Sequence, residues 1–77
     1  MRLNKILVKI ENGNLKILIN NILHLQLKTE EFLGIQSYVK EKIYYIEFYF
    51  SNTMIEVDYN NEKLWVGILK QLNKIKI

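Results

Sequence analysis

KIYYIEFYFSNTMIEVDY, residues Lys42 to Tyr59, holds six of the nine aromatic residues in a chain of 77. The run is either one aromatic binding surface or the core of a small sheet, and its alternation decides between them. From Ile43 to Phe50 it is too rich in β-branched and aromatic residues to favour a helix. Side chains alternate across a strand. Tyr44, Ile46, Phe48 and Phe50 therefore share one face, and Ile43, Tyr45, Glu47 and Tyr49 share the other. In the next strand Ile55, Val57 and Tyr59 alternate with Met54, Glu56 and Asp58. A three-residue loop at Ser51–Asn52–Thr53 would set Phe48 against Glu56 and put a carboxylate in the core. A loop of two or four residues sets Phe48 against Ile55 or Val57, so an even length is predicted, with Asn52 at positive φ. The apolar set is core; Tyr45 and Tyr49 are left on the outer face.

Towards the N-terminus, NKILVKIENGNLKILIN (residues 4–20) carries Asn12–Gly13 between two alternating runs. Asn–Gly is a strong signal for a type I′ hairpin. A two-residue loop pairs Glu11 with Asn14, Ile10 with Leu15, Val8 with Ile17 and Ile6 with Ile19. It pairs Lys9 with Lys16 and Leu7 with Leu18 on the opposite face. A tight Asn20–Asn21 turn then leads into a third strand, in which Leu23, Leu25 and Leu27 alternate with His24, Gln26 and Lys28. TEEFLGIQSYVKEK (residues 29–42) reads as a loop followed by a short strand from Gly34 to Val39, turning at Lys40–Glu41–Lys42. Beyond the aromatic run, Asn60 or Asn61 caps a helix with Glu62 in its first turn. Leu64, Trp65, Ile68, Leu69, Leu72 and Ile75 form its apolar stripe, and Lys63, Lys70 and Lys74 point away. Gly67 is expected where helix and sheet approach closely.

The fold class is α+β: one domain, residues 1–77, with an antiparallel meander of about five strands and one amphipathic C-terminal helix packed on the sheet. Its parts are a hairpin at 3–20, a strand at 22–28, a variable loop or short strand at 29–42, a hairpin at 43–59 and a helix at 61–75. In outline this resembles the small pleckstrin-homology-like half-barrels, which also end in a capping helix. The likeness is architectural and implies no activity.

Composition narrows the function. The chain has no Cys and one His, so disulfides, thiolate metal sites and His-rich metal sites are not expected. The N-terminus runs into alternation rather than an apolar signal segment, and no run approaches a membrane span. A cytoplasmic protein without a cofactor is expected. The net charge of +3 and pI near 9.2 raise nucleic acid as a partner. Against it, there is one Arg beside ten Lys, and Arg is the better bidentate phosphate reader. Ile, Asn and Lys together make 31 of the 77 residues, a preference that follows AT-rich codons. That composition fits low-GC bacteria and their viruses and plasmids.

No catalytic constellation emerges. Glu47, Glu56 and Asp58 share the outer face of the aromatic hairpin, and Lys5, Lys9 or Lys28 from neighbouring strands are expected to neutralise them. His24 is expected to be an exposed residue on a polar strand face. The best candidates for a partner-binding surface are Tyr45, Glu47, Tyr49, Met54 and Glu56. Tyr and Met are enriched at protein interfaces, and the carboxylates would repel a phosphate backbone. Leu7, Leu18, Ile22 and Ile43 are candidates for a homodimer contact. Lys5, Lys9 and Lys16 are the candidates for binding an anionic ligand, whether RNA, DNA or a nucleotide. The leading expectation is a small non-enzymatic protein acting by protein–protein contact, an accessory or inhibitor protein of the phage or plasmid type. Anion binding and a structural homo-oligomer are the alternatives.

Overall fold

Asn12 and Gly13 adopt the left-handed backbone their turn requires, with φ of 52° and 75°. The flanking strands β1 (Ile6–Glu11) and β2 (Asn14–Ile19) pair antiparallel from Glu11 opposite Asn14 to Ile6 opposite Ile19, in the expected register. The architecture is that of a computed structural model describing residues 4–75; the expected start of the first hairpin at residue 3 lies outside them. Asn20 and Asn21, also left-handed, turn the chain into β3 (Ile22–Lys28). Thr29 then donates to the Gly13 carbonyl from both its N–H and its hydroxyl, each at 2.9 Å. After this anchor come β4 (Phe32–Lys40), β5 (Ile43–Phe50), β6 (Thr53–Tyr59) and the helix α1 (Glu62–Asn73).

The described residues form six antiparallel strands in two three-stranded sheets, β1-β2-β3 and β4-β5-β6, rather than about five strands in one meander. The reason is coverage. A helix of 12 residues is about 18 Å long, whereas six strands spaced about 4.8 Å apart make a face roughly 24 Å wide or more. One such helix cannot cover that face. The two sheets instead bring their apolar faces together. Val8, Leu15, Ile17 and Leu27 from the first sheet join Ile46, Phe48 and Tyr59 from the second and Ile68 and Leu72 from the helix in one buried cluster. Tyr44, Phe50, Ile55 and Val57 pack against it, so the whole apolar set of the aromatic run lies on the core side.

Three local expectations need correction. Residues 32–40 form a full nine-residue strand, β4, rather than a short one after a loop. Its turn into β5 is Glu41–Lys42, with φ of 51° and 66° at two residues that rarely accept positive φ. The Ser51–Asn52 loop has the predicted even length and sets Phe48 opposite Ile55, but Asn52 is not at positive φ. The Ser51 N–H is held by the Glu31 carbonyl at 3.0 Å, so this turn is braced from outside the hairpin. In β3, the pairing with β2 shifts between Ile17 and Leu18: Leu25 faces Ile17 but Leu23 faces Leu18. His24 is the extra residue of this bulge. It moves Leu23 off the core face, where Leu25 and Leu27 remain, to 51% exposure.

The helix closes the structure. The Asn61 side chain accepts from the Leu64 N–H at 3.2 Å, as an N-cap should. Trp65 donates its indole N–H to the Tyr45 carbonyl at 3.0 Å, and its ring lies 5.1 Å from that of Tyr44. The helix runs close beside β1: a Cβ added at Gly67 would stand 2.5 Å from the Ile6 Cδ1.

Two stability predictions follow from these contacts. Replacing Glu41–Lys42 by Asn–Gly relieves left-handed strain and raises unfolding free energy by about 1 kcal/mol in urea titration. An unchanged or lower midpoint would contradict the strain. Gly67→Ala gains about 1 kcal/mol of helix propensity in an Ile6→Val background, where the opposing methyl is gone. It gains clearly less with Ile6 present; equal effects in the two backgrounds would refute the close contact.

Candidate interaction face

The inner faces of both sheets meet in one core, so their outer faces look away from each other. On the second sheet the register lays out cross-strand rows. Tyr38, Tyr45 and Asp58 form one, Gln36, Glu47 and Glu56 the next, and Gly34, Tyr49 and Met54 the third. Glu47 faces Glu56 directly, one of the two registers compatible with an even loop. All five expected partner-binding residues, Tyr45, Glu47, Tyr49, Met54 and Glu56, therefore share this face. Tyr38 and Gln36 join them, although nothing in the sequence reading singled them out. The signal was available: once Glu41–Lys42 is taken as a two-residue turn, parity puts Tyr38 opposite Tyr45.

The side chains form a connected set. The Tyr38 and Tyr45 rings stack with centroids 4.7 Å apart and planes 14° from parallel. Tyr38 donates its hydroxyl to Glu56 Oε2 at 2.6 Å, and Tyr49 donates to Glu47 Oε1 and, at 3.4 Å, to Gln36 Oε1. The bond to Glu56, with lesser contributions from desolvation and nearby negative charge, pushes the Tyr38 hydroxyl up to about 12. The Tyr49 hydroxyl is raised first of all by its bond to Glu47.

The expected neutralisation of these carboxylates by Lys5, Lys9 or Lys28 does not occur. Lys9 and Lys28 are on the first sheet and Lys5 just precedes β1, whereas the carboxylates are on the second sheet. Lys9 and Lys16 pair with Glu11 instead. Two tyrosine hydroxyls take the lysines' place. They orient Glu47 and Glu56 without cancelling their charge.

The other candidates fall elsewhere. Lys9 and Lys16 face each other across β1 and β2, and both reach Glu11, at 3.6 and 2.8 Å. The bond from Lys16, helped by the charges of both lysines, holds the Glu11 carboxyl below the usual range. Leu7 and Leu18 do face each other on the outer side of the first sheet. Ile22 instead pairs with Ile19 on the core-facing parity, though it is 72% exposed, and Ile43 is on the second sheet, so these four do not form one patch. His24 is exposed but not idle: its Nε2 is 2.9 Å from the Tyr59 hydroxyl, linking the two sheets. Tyr59 is 6% exposed, and burial, with Asp58 beside it, pushes its hydroxyl up to about 12. The surface groove beside α1 and β4 is lined by apolar side chains such as Phe32, Ile35 and Leu72, and the groove between β3 and β6 sets Leu27, Phe50 and Ile55 among polar residues such as Gln26, Lys28 and Glu30.

Among the described residues no cluster of three or more His, Asp or Glu is placed to hold a metal, and no helix is long and apolar enough to cross a membrane. No protein-family profile matches the chain, and comparison with curated proteins and with solved structures brings no match.

Alkaline titration followed by tyrosinate absorbance checks this geometry. Tyr38 and Tyr59 ionise near pH 12 and Tyr49 above 10. Glu56→Ala returns Tyr38 towards 10 and leaves Tyr59 where it is. Tyr59 has a raised folded-state value, so its contribution to stability is complete below about pH 10 and lost as pH climbs through 12. A Tyr38 titration unmoved by Glu56→Ala would contradict the bond.

Proposed function

We propose that the protein is a small non-enzymatic binding protein that acts by protein–protein contact, and that the outer face of the second sheet is its contact surface. One observation carries this reading: three tyrosines and three carboxylates share that face, with tyrosine hydroxyls bonded to Glu47 and Glu56. Tyrosine supplies large contact area at small entropic cost and recurs at interface hot spots. The carboxylates select for a partner that brings basic side chains, and they disfavour a nucleic-acid backbone. Met54, 44% exposed at the rim, adds an adaptable apolar contact. Size and AT-rich composition suit an accessory or inhibitor protein of a phage or plasmid that blocks a host enzyme or complex. Binding of an anionic ligand by Lys5, Lys9 and Lys16 has less support, because the Leu7–Leu18 row separates Lys5 from Lys9 and Lys16.

Affinity capture from a nuclease-treated lysate of the encoding organism tests the surface. A Tyr38→Ala/Tyr45→Ala variant that still folds loses the captured protein by tenfold or more, since hot-spot truncations cost about 2 kcal/mol or more. Lys70→Glu on the back of the helix does not. Equal recovery by the tyrosine variant and the native chain would overturn the assignment.

A further inference from the structure

The second sheet calls for a partner surface that is basic and partly apolar, and the chain carries one on its own first sheet. The register there lays out three outer rows: Leu7, Leu18 and Leu23; Lys9, Lys16 and Gln26; Glu11, Asn14 and Lys28. The leucine row exists because the His24 bulge turns Leu23 outwards. Leu7 is 44% exposed and Leu23 51%. Glu11 is the one carboxylate in these rows, against Lys9, Lys16 and Lys28. The second sheet has the opposite balance, with Glu47, Glu56 and Asp58 against Lys40 at its end. Each face is three strands wide, and each combines a charged row with large apolar or aromatic groups.

Resting on the proposed contact surface, we propose that its partner is a second copy of the chain, which presents the outer face of its first sheet to the tyrosine–carboxylate face. A symmetric contact between two like faces would set lysines against lysines or carboxylates against carboxylates, which is unfavourable. The contact therefore joins unlike faces. Those faces point away from each other on one molecule, so every added copy leaves one face of each kind open. Such a head-to-tail contact repeats into a ring or an open chain rather than stopping at a dimer. It is weakened by salt, because charge selects its orientation.

Sedimentation velocity over a rising concentration series, at low and at high salt, tests this. The native chain is expected to form species larger than a dimer at low salt and to revert towards monomer at high salt. Lys16→Glu blocks the first face and Glu56→Lys the second. Each alone weakens association about tenfold or more, and mixing the two restores one native contact per pair and so yields a heterodimer, because each still carries the face the other lacks. Lys28→Glu and Asp58→Lys, both at exposed positions, repeat the test should either first variant lose its circular dichroism signature. Lys70→Glu leaves assembly unchanged. A native chain that stays monomeric at every concentration overturns the self-contact and leaves the tyrosine face as a surface for a different protein. Assembly abolished by Glu56→Lys but untouched by Lys16→Glu overturns the head-to-tail contact while keeping the tyrosine face as an interface. Assembly indifferent to both variants runs through another surface, which overturns the self-contact between these faces and leaves the tyrosine face as a surface for a different protein.

Discussion

Everything exposed on this protein follows from one demand: the apolar faces of two small sheets must be buried against each other. A chain of 77 residues leaves a large share of its surface wet and has little core to spare. Here Ile17, Ile46, Phe48 and Ile68 are fully buried, and Gly67 lets the helix close in beside β1. A one-residue slip in any strand would exchange its core set for its outer set. The positions of Tyr38, Tyr45, Tyr49, Glu47 and Glu56 are thus not independent of the core. They are the complement of Ile35, Tyr44, Ile46, Phe48 and Val57 on the same strands, held outward by the same pairing.

Parity is also why so much was legible beforehand. Asn12–Gly13 and Asn20–Asn21 are turns whose residues accept left-handed backbone, so their strands could be placed and their registers tested by the apolar match across them. The even loop at Ser51–Asn52 followed from keeping Glu56 out of the core, although the turn itself is braced by Glu31 rather than by an αL residue. The misses share a cause. The expected three-residue turn at Lys40–Glu41–Lys42 is one residue too long and sets Tyr38 opposite Tyr44 rather than Tyr45, and the irregular pairing between Phe32 and Gly34 hides the start of β4. The His24 bulge breaks strict alternation and leaves no mark in hydropathy, so alternation alone places Leu23 inward. The division into two sheets depends on Thr29 reaching Gly13 and on the area one helix can cover. Both are properties of the assembled chain rather than of any segment.

The two outer faces solve the same electrostatic problem differently. On the first sheet Lys9 and Lys16 are like charges in direct opposition, and Glu11 bridges them. On the second, Glu47 and Glu56 are in direct opposition, yet their partners are hydroxyls. A lysine would remove the repulsion and the charge together. A tyrosine hydroxyl fixes the carboxylate in place and leaves the charge on the surface. Like charges directly opposite each other in a sheet are destabilising by roughly 0.2–1 kcal/mol, a cost that a single Glu→Lys change on β6 would remove.

Local rules broken without local compensation are expected where a surface has work to do. The carboxylate pair fits that description only if something brings positive charge to it. A cationic surface docking there relieves the Glu47–Glu56 repulsion in the complex but not in the free chain, so part of the binding free energy is repulsion released. Linkage then requires the reverse: whatever binds this face must also stabilise the fold, because the unfolded chain does not hold the two carboxylates opposite each other. The tyrosines make this coupling directional. Their hydroxyls hold Glu47 and Glu56 in fixed positions in the free chain, so a basic partner docking there would be selected by the spacing of its charged groups as well as by their charge.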